Sequence, residues 1–407
     1  MPSPILSAAL PFGGAALSRL LRSLPEPPRL LGLGEAMHGE EALVRQRNEV
    51  FRHLVEHEGY RSIAIESDCL MGLAVDAYVT EGVGTLDDVV RHGFSHGFAA
   101  SAANRELLEW MRAHNRDRPA PERIRFFGFD GPLEMSGPGS PRQALTELHG
   151  YLAAHLDVLP ADAVDRLLGD DSRWTNPAAV MDPAQSVGRS AEAVELRLIA
   201  DDLVAVLMAE SPHLISATSR EAWWRAALHG RTATGLLRYH AGMADPSPAR
   251  VGRLMSLRDG MMAENLLAIA PPYGPTLVFA ANAHLQRHLS TWQTGWQPVD
   301  LLLEWWSAGA IVSAHLGGGY AFLASALGAA PHHGLTVPPT DTVEGVLSTL
   351  PDDHCLVDSA RLTAALAGTK LTLRSGTSTN HSYFGLDPDQ LDRTDGIVFI
   401  KDVAPAG

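Results

Sequence analysis

The chain has 407 residues, of which 45% are apolar and 19% are charged, the balance of a folded globular protein and not of a disordered one. Its 47 acidic residues against 32 basic ones give a net charge of -15, which disfavours binding to nucleic-acid phosphates and to anionic lipid surfaces. No apolar run reaches the roughly 18 residues of a membrane-spanning helix.

The first predicted elements are a helical leader over residues 1–28 and a strand from Arg29 to Leu33. The stretch from Met1 to Ala16 contains no Lys or Arg, so it lacks the basic region of a secretory signal. A helix is predicted over Glu40 to Glu58, because apolar residues recur there at helical spacing and Gly59 follows at the position of a C-terminal cap glycine.

Further short apolar runs predict strands along the chain. They are Ser62 to Ile65, Ile124 to Phe129, Thr276 to Ala280, Ile311 to Ala314, Cys355 to Val357 and Ile397 to Ile400. Residues 142–267 show little alternation and contain the predicted helices Ser186 to Glu210 and Arg220 to Gly242. We therefore predict an α/β fold: a mixed, largely parallel central sheet flanked by helices. Its halves are 29–141 and 268–407, separated by an inserted helical subdomain.

Polar side chains follow four of the predicted strands. Glu35 and His38 come after the first strand, Glu66 after the second, Asp130 after the third and His284 after the strand that begins at residue 276. The carboxyl ends of parallel strands line the crevice in which ligands bind in open α/β sheets. The sequence therefore predicts that these side chains meet at one edge of the sheet.

A histidine beside carboxylates is suited to general-base chemistry. A carboxylate such as Glu35 or Glu66 fixes the imidazole tautomer, so that the second nitrogen of His38 can take a proton from water. Arg47 is spaced on the following helix so that it faces the sheet, where it needs carboxylate partners or a developing negative charge. Arg258 is a similar candidate from the helical block.

The segment from Leu33 to Gly39 resembles the Gly-Glu-x-x-His-Gly motif of the erythromycin esterase and succinoglycan biosynthesis family. The segments Ile65 to Asp68, Phe127 to Asp130 and Arg258 to Asn265 are similar to further family segments, and the resemblance covers nearly the whole chain. It implies a hydrolase without a metal or cofactor that acts on an ester or lactone, in the type case the macrolactone of a macrolide. His38 would be the general base, with Glu35, Glu66, Arg47 and His284 around it.

One departure from the family pattern concerns the fourth strand. The family has His-Asn-x-His there, whereas this sequence has Ala281-Asn282-Ala283-His284, so the first imidazole is missing. His315, at the end of the predicted strand Ile311 to Ala314, is a candidate to replace it in part. The departure leaves open slow macrolide hydrolysis or a different reaction.

Three rival interpretations remain open. Gly93 to Gly97 matches the G-x-S-x-G nucleophile elbow, but the residues before Ser95 favour a helix where the elbow needs a strand. A divalent metal ion is the second possibility, with a ligand set formed by His38, Glu35, Glu66 and His284. A non-hydrolytic acid–base enzyme of specialised metabolism, such as a cyclase, lyase or isomerase, or a catalytically silent binding protein is the third.

The remaining candidates concern substrate binding and location. The predicted substrate-binding residues are Arg258, Asp130, His315, Trp223 and Trp224, the tryptophans as an apolar wall supplied by the helical block. The adjacent histidines at positions 332 and 333 are interpreted as solvated loop residues.

The chain has two cysteines, too few for a disulfide framework or a thiolate zinc site. We therefore expect a cytoplasmic enzyme with a small-molecule substrate. No nucleic-acid or membrane partner is expected, and the oligomeric state is left open.

Overall fold

The computed structural model of the protein describes residues 4–134, 137–293, 301–375 and 383–404. Its strands are β1 (Ala9–Pro11), β2 (Leu30–Glu35), β3 (Ser62–Asp68), β4 (Arg125–Asp130), β5 (Leu133–Glu134), β6 (Gly137–Pro138), β7 (Thr276–Ala281), β8 (Leu289–Gln293), β9 (Leu302–Trp306), β10 (Tyr320–Ala329), β11 (His354–Asp358) and β12 (Gly396–Asp402).

The α-helices lie between these strands and over the middle of the chain. They are α1 (Pro4–Ala8), α2 (Gly14–Ser23), α3 (Glu41–His57), α4 (Gly72–Glu81), α5 (Leu86–His92), α6 (Ala102–Asn115), α7 (Arg142–Ala153), α8 (Ala161–Leu168), α9 (Ala191–Ala209), α10 (Ser211–Ala217), α11 (Arg220–Met243), α12 (Arg250–Tyr273), α13 (Asn282–Leu285), α14 (Ala308–Leu316), α15 (Val343–Leu347) and α16 (Ser359–Leu366). None of the described helices is both long enough and apolar enough to cross a lipid bilayer.

One sheet of the described chain contains eight strands in the order β1-β11-β12-β10-β2-β7-β3-β4. The pairs β12–β10, β10–β2, β2–β7 and β7–β3 are parallel, whereas β1 and β11 add an antiparallel edge. β2, β3, β7 and β10 are buried along their whole length, as expected of parallel strands that are covered on both faces. The predicted fold class, a mixed and largely parallel sheet flanked by helices, is confirmed.

The helix α3 shows how the sequence produces a local element at this sheet. Leu43, Val50 and Leu54 form part of its buried face. The Glu40 side chain caps the amino end by accepting a hydrogen bond from an α3 backbone N–H, and Gly59 takes the positive φ of 74° that ends such helices. The predicted helix and its terminal glycine are both confirmed.

The predicted strand from Ile311 to Ala314 is wrong, because these residues lie in the helix α14. A four-residue apolar run does not distinguish a strand from a buried helix. The deciding feature is Ser307, whose hydroxyl accepts a hydrogen bond from the Ala310 N–H at 3.0 Å and caps the helix. The other predicted strands correspond to β2, β3, β4, β7, β11 and β12.

Two strands of the sheet were not predicted. β10 lies at the centre between β12 and β2, and its sequence is so rich in Ala and Leu that it carries no strand-like preference. β1 lies within the predicted helical leader and pairs with β11, so the described part of that segment also supplies an edge strand.

The contacts within the chain divide it into two units. The first consists of Met1–Glu66, Gly72–Phe127 and Leu266–Gly407, and it contains most of the sheet. The second consists of Ser67–Met71 and Gly128–Asn265.

The second unit is helical. Its helices α7, α9, α10 and α11 contribute to one buried apolar cluster, which contains Leu148, Leu152, Leu203, Leu207, Leu214 and Ala226. The predicted helices Ser186 to Glu210 and Arg220 to Gly242 correspond to α9 and α11. The boundaries predicted for a helical insertion, residues 142–267, remain a prediction.

Candidate active site

Three neighbouring strands of the first unit end at one edge of the sheet. Because β7 lies between β2 and β3 and all three are parallel, their carboxyl ends point the same way. Glu35 pairs in register with Ala281, and Glu66 follows Ile65, which pairs with Phe279. The two carboxylates and the segment after β7 therefore lie at the same edge.

Glu35 and His38 form a hydrogen-bonded pair there. Nδ1 of His38 lies 2.6 Å from Oε2 of Glu35. The Glu35 side chain is fully buried, whereas 43% of the His38 side chain is exposed. Burial raises the pKa of Glu35, as does the nearby Glu66, while His38 and Arg47 act in the opposite direction. The pair joins a desolvated carboxyl to a solvent-accessible imidazole, which is the arrangement that general-base chemistry needs.

Arg47 is completely buried on α3, in the inward orientation that the sequence predicts. Its Nη2 donates hydrogen bonds to the side-chain oxygens of Asn48 at 2.7 Å and Asn104 at 2.8 Å. Burial lowers the pKa of Arg47 to about 9, against the opposing effect of Glu35 and Glu41, so the guanidinium stays positively charged at neutral pH. It acts on Glu35 through its charge.

Two atoms of this cluster lack hydrogen-bond partners although they are buried: Oε1 of Glu35 and Nη1 of Arg47. An unsatisfied buried polar atom costs about 1–3 kcal/mol, and more when the group is charged. Such atoms are rare in folded proteins and are found at functional sites. Ten further atoms of this kind lie elsewhere among the described residues, so these two support a site for chemistry only together with the Glu35–His38 hydrogen bond.

Glu66 is held by the segment that follows β7. Its Oε2 accepts a hydrogen bond from the Ala281 N–H at 2.8 Å, and its Oε1 lies 3.5 Å from Nε2 of His284. Asn282 fixes this segment to β10 of the same sheet, because its side chain donates to the backbone oxygen of Ser325 at 2.8 Å and accepts from the Ser325 N–H at 3.2 Å. The second carboxylate and the second imidazole are thus a buried pair.

Sequence reasoning missed the amide side chains of this site. Asn48 and Asn104 orient Arg47, and Asn282 anchors the turn that carries His284. A signal was available for Asn48, since it belongs with Arg47 to a polar stretch on an otherwise apolar helix face. No comparable signal marks Asn104, whose contact spans 57 positions of sequence.

The predicted residues Asp130 and Arg258 lie in the second unit, where they form an ion pair. Nη2 and Nε of Arg258 donate to Oδ2 of Asp130 at 2.7 Å and 3.0 Å, and the Asp130 side chain is fully buried. A buried pair of this geometry satisfies both groups. Their predicted role in substrate binding remains a prediction.

The predicted tryptophan wall also lies in the second unit. Trp223 packs against the apolar cluster of its unit, and its Nε1 donates to the backbone oxygen of Leu207 at 3.1 Å. Trp224 is 7% exposed. These contacts are those of packing residues, and an apolar substrate wall formed by the pair remains a prediction.

The structure corrects the placement of His315. This residue is exposed near the carboxyl end of α14, five positions before β10 begins at Tyr320. Tyr320 pairs with Leu30 at the amino end of β2, so His315 precedes the end of the sheet opposite to Glu35. His315 therefore does not take the place of the imidazole that Ala281 lacks.

Two rival sites from the sequence are the serine nucleophile Ser95 and a metal ion bound by His38 and the nearby carboxylates. Ser95 follows the helix α5, as predicted, where a nucleophile elbow requires a strand. Among the described residues, one group of three potential metal ligands has its donor atoms within 4.8 Å of one another, namely Glu40, His332 and His333. The rival ligand set with His38 and Glu66 does not form such a group.

Comparison with known sequences gives a family match. The sequence model described as Erythromycin esterase matches residues 55–403. No curated protein matches the sequence. The matched range includes Glu66 and His284 but begins after His38, so the Gly-Glu-x-x-His-Gly resemblance lies outside it.

Comparison with solved structures shows the same fold in three proteins. A protein from Bacillus cereus is 16% identical with a TM-score of 0.70, and the alignment covers 98% of this chain and 95% of that one. A succinoglycan biosynthesis protein is 15% identical with a TM-score of 0.68 and the same coverage. A histidine-to-asparagine mutant of the erythromycin esterase EreC, in its open conformation, is 17% identical with a TM-score of 0.64 over 96% of this chain and 94% of that one.

Proposed function

Since this chain belongs to the erythromycin esterase family, we propose that it hydrolyses an ester or a lactone with His38 as the general base. The observation that carries the proposal is the 2.6 Å hydrogen bond between His38 Nδ1 and the buried Glu35 carboxyl. When Nδ1–H of His38 donates its hydrogen bond to Glu35, Nε2 carries the basic lone pair. The exposed fraction of this imidazole gives water access to it.

The reaction proceeds in two steps. In the first, Nε2 of His38 takes a proton from water while the water oxygen bonds to the carbonyl carbon of the ester, and the carbonyl oxygen becomes an oxyanion. In the second, the carbon–oxygen bond to the leaving group breaks and the imidazolium returns the proton to the departing alkoxide. The products are a carboxylic acid and an alcohol, or a hydroxy acid when the substrate is a lactone.

The other polar groups of the site support this chemistry. The raised pKa of Glu35 makes its carboxylate a stronger acceptor for the hydrogen bond from Nδ1–H. His38 and, to a smaller extent, Arg47 favour the ionised carboxylate against the effect of burial. We assign His284, held 3.5 Å from Glu66, to stabilisation of the oxyanion. The reaction uses no metal ion and no cofactor, so activity should survive exhaustive chelation.

The proposed substrate is a medium-to-large natural product, with a macrolactone as the first compound to try. Ala281 stands where the family pattern has a histidine, so we expect macrolactones to be cleaved slowly. A panel that extends from macrolactones to smaller lactones and linear esters shows whether a smaller substrate is cleaved faster than a macrolactone.

Hydrolysis in oxygen-18 water, followed by mass spectrometry, tests the reaction class. One labelled oxygen is expected in the carboxylate of the product. A folded His38→Ala variant should lose at least about 100-fold in kcat. His315→Ala is the matched control, because this histidine lies outside the site, and it should keep full activity. Unlabelled product, or a His38→Ala loss of less than about tenfold, contradicts the proposal.

A further inference from the structure

A second cluster of ionisable side chains lies beside the loop that follows β2. Oε2 of Glu40 is 2.8 Å from Nε2 of His332 and 3.3 Å from Nε2 of His333. The Glu40 side chain is 3% exposed and the two imidazoles are 23% and 28% exposed. These histidines were expected to be solvated, and His332 is exposed and His333 half-buried, but both rings also turn towards one buried carboxylate oxygen.

The backbone holds all three side chains in place. Glu40 caps α3, with its other oxygen, Oε1, accepting the Ala42 N–H at 2.9 Å. The histidines end a short 3-10 turn, Pro331–His333, which Gly334 closes with a φ of 72°. The bridge between Ala330 and Leu335 fixes the base of this turn. The carboxylate oxygen and the two ring nitrogens are therefore preorganised by main-chain structure on two separate segments.

We propose that Glu40, His332 and His333 form a binding site for a divalent transition-metal ion of the zinc class. Two imidazole nitrogens and one carboxylate oxygen are a donor set that zinc favours. Tetrahedral zinc with bonds of about 2.0–2.1 Å places its ligand atoms about 3.3–3.4 Å apart. The separation of 3.3 Å between Glu40 and His333 matches this geometry, whereas the 2.8 Å between Glu40 and His332 would have to lengthen by about 0.5 Å when the ion replaces their hydrogen bond. The partial exposure of both rings leaves the fourth position to water.

The site is separate from the proposed hydrolytic centre. His38 precedes Glu40 by two residues, but its Nδ1 bonds to Glu35 and it is not a member of the cluster. A bound ion would join the loop after β2 to the turn after β10, two segments that lie 292 positions apart in the sequence. The existence of this site does not depend on whether the protein is a hydrolase.

Calorimetric titration of the chelator-stripped full chain with zinc chloride tests the proposal. One equivalent of zinc should bind and raise the melting temperature. His332→Ala and His333→Ala should each weaken zinc binding by at least about tenfold, since loss of an outer-shell contact alone costs about 10- to 100-fold. Glu40→Gln should weaken it too while retaining the side-chain oxygen that caps α3.

The matched control is His57→Ala, which removes an exposed histidine that lies beside His53 on α3. This variant, and His38→Ala, should bind zinc as the unmodified chain does. Binding that persists in the His332 and His333 variants, or that disappears in the His57 variant, places the metal elsewhere and overturns the proposal. The absence of any zinc-dependent heat or thermal shift also overturns it. None of these outcomes changes the expectation for ester hydrolysis.

Discussion

At the scale of single residues, the proposed chemistry depends on which ring nitrogen of His38 carries the proton. Glu35→Gln keeps the shape of the side chain, but its amide can donate to Nδ1 and thereby leave the proton on Nε2. We expect kcat of the folded variant to fall by about 100-fold or more, with little change in KM. The melting temperature should fall as well, because the buried Arg47 loses the carboxylate that opposes its charge. Glu56→Gln on the exposed face of α3 is the control. If activity is lost only because the variant is unfolded under the assay conditions, Glu35 has a structural role instead.

The charge of Arg47 makes a separate residue-scale prediction. Arg47→Met leaves Asn48 and Asn104 without their shared donor and removes a cation that interacts electrostatically with the buried Glu35. Removal of one partner of a buried charge pair costs about 3–5 kcal/mol, and urea unfolding should show a loss of this size.

A double-mutant cycle separates two contributions to the stability lost in Arg47→Met, the loss of the positive charge and the loss of side-chain packing. In a Glu35→Gln background the Arg47→Met change should cost measurably less, because the uncompensated carboxylate is already gone. Strict additivity of the two single changes would show that Arg47 does not compensate Glu35.

At the scale of elements, Gly34 determines how β2 and β7 meet. A Cβ at position 34 would lie 1.9 Å from Oδ1 of Asn282, the side chain that bonds to both backbone groups of Ser325. Gly34→Ala should therefore displace Asn282, destabilise the fold by roughly 1–3 kcal/mol and lower activity through the shifted His284. Denaturant unfolding measures the loss of stability, and kcat measures the loss of activity.

The matched control is Gly260→Ala on α12, where a Cβ would meet nothing within 4 Å. This change should leave stability unaltered or raise it by about 0.5–1 kcal/mol. An additional Asn282→Ala change should relieve part of the Gly34→Ala effect, since it removes the atom that clashes. If Gly34→Ala is as well tolerated as the control, the close approach has no energetic consequence.

Some of the strands and helices can be predicted from the sequence alone, and others cannot. β2 and β3 are apolar runs that end in polar residues, and β7 is an apolar run followed directly by Asn282, so these strands could be inferred from local composition. β10 was missed because its strand conformation comes from burial between β12 and β2 and not from its Ala-rich sequence. α14 was misassigned because four apolar residues fit either period, and only the Ser307 cap decides.

At the scale of the whole molecule, predictability falls with sequence separation. The pairing of Glu35 with His38 spans three positions, and the motif alone suggested it. The contact of Glu66 with the Ala281 N–H spans 215 positions and depends on strand order, which only the fold supplies. The convergence of His332 and His333 on Glu40 is of the same kind. A sequence pattern identifies the groups that can do chemistry, whereas the sheet decides which of them meet.

The stability of the molecule should also depend on pH through a buried histidine of the second unit. His240 is 1% exposed, and its Nε2 donates to the backbone oxygen of Gly139 at 3.0 Å. Burial lowers the pKa of His240 to about 4, against an ordinary value of 6.5. The unfolded chain therefore takes up a proton before the folded chain does, so the stabilisation is fully present above pH 6.5 and is lost as the pH falls towards 4.

A shift of this size corresponds to about 3 kcal/mol between the two ends of that range. His240→Gln can still donate to the Gly139 oxygen but does not titrate. Its unfolding free energy should therefore depend less on pH between 6.5 and 4 than that of the unmodified chain, while the two proteins should differ little in slope above pH 7. Urea unfolding at a series of pH values measures both slopes, and identical slopes below pH 6.5 would show that His240 already shares its proton equilibrium with solvent in the folded state.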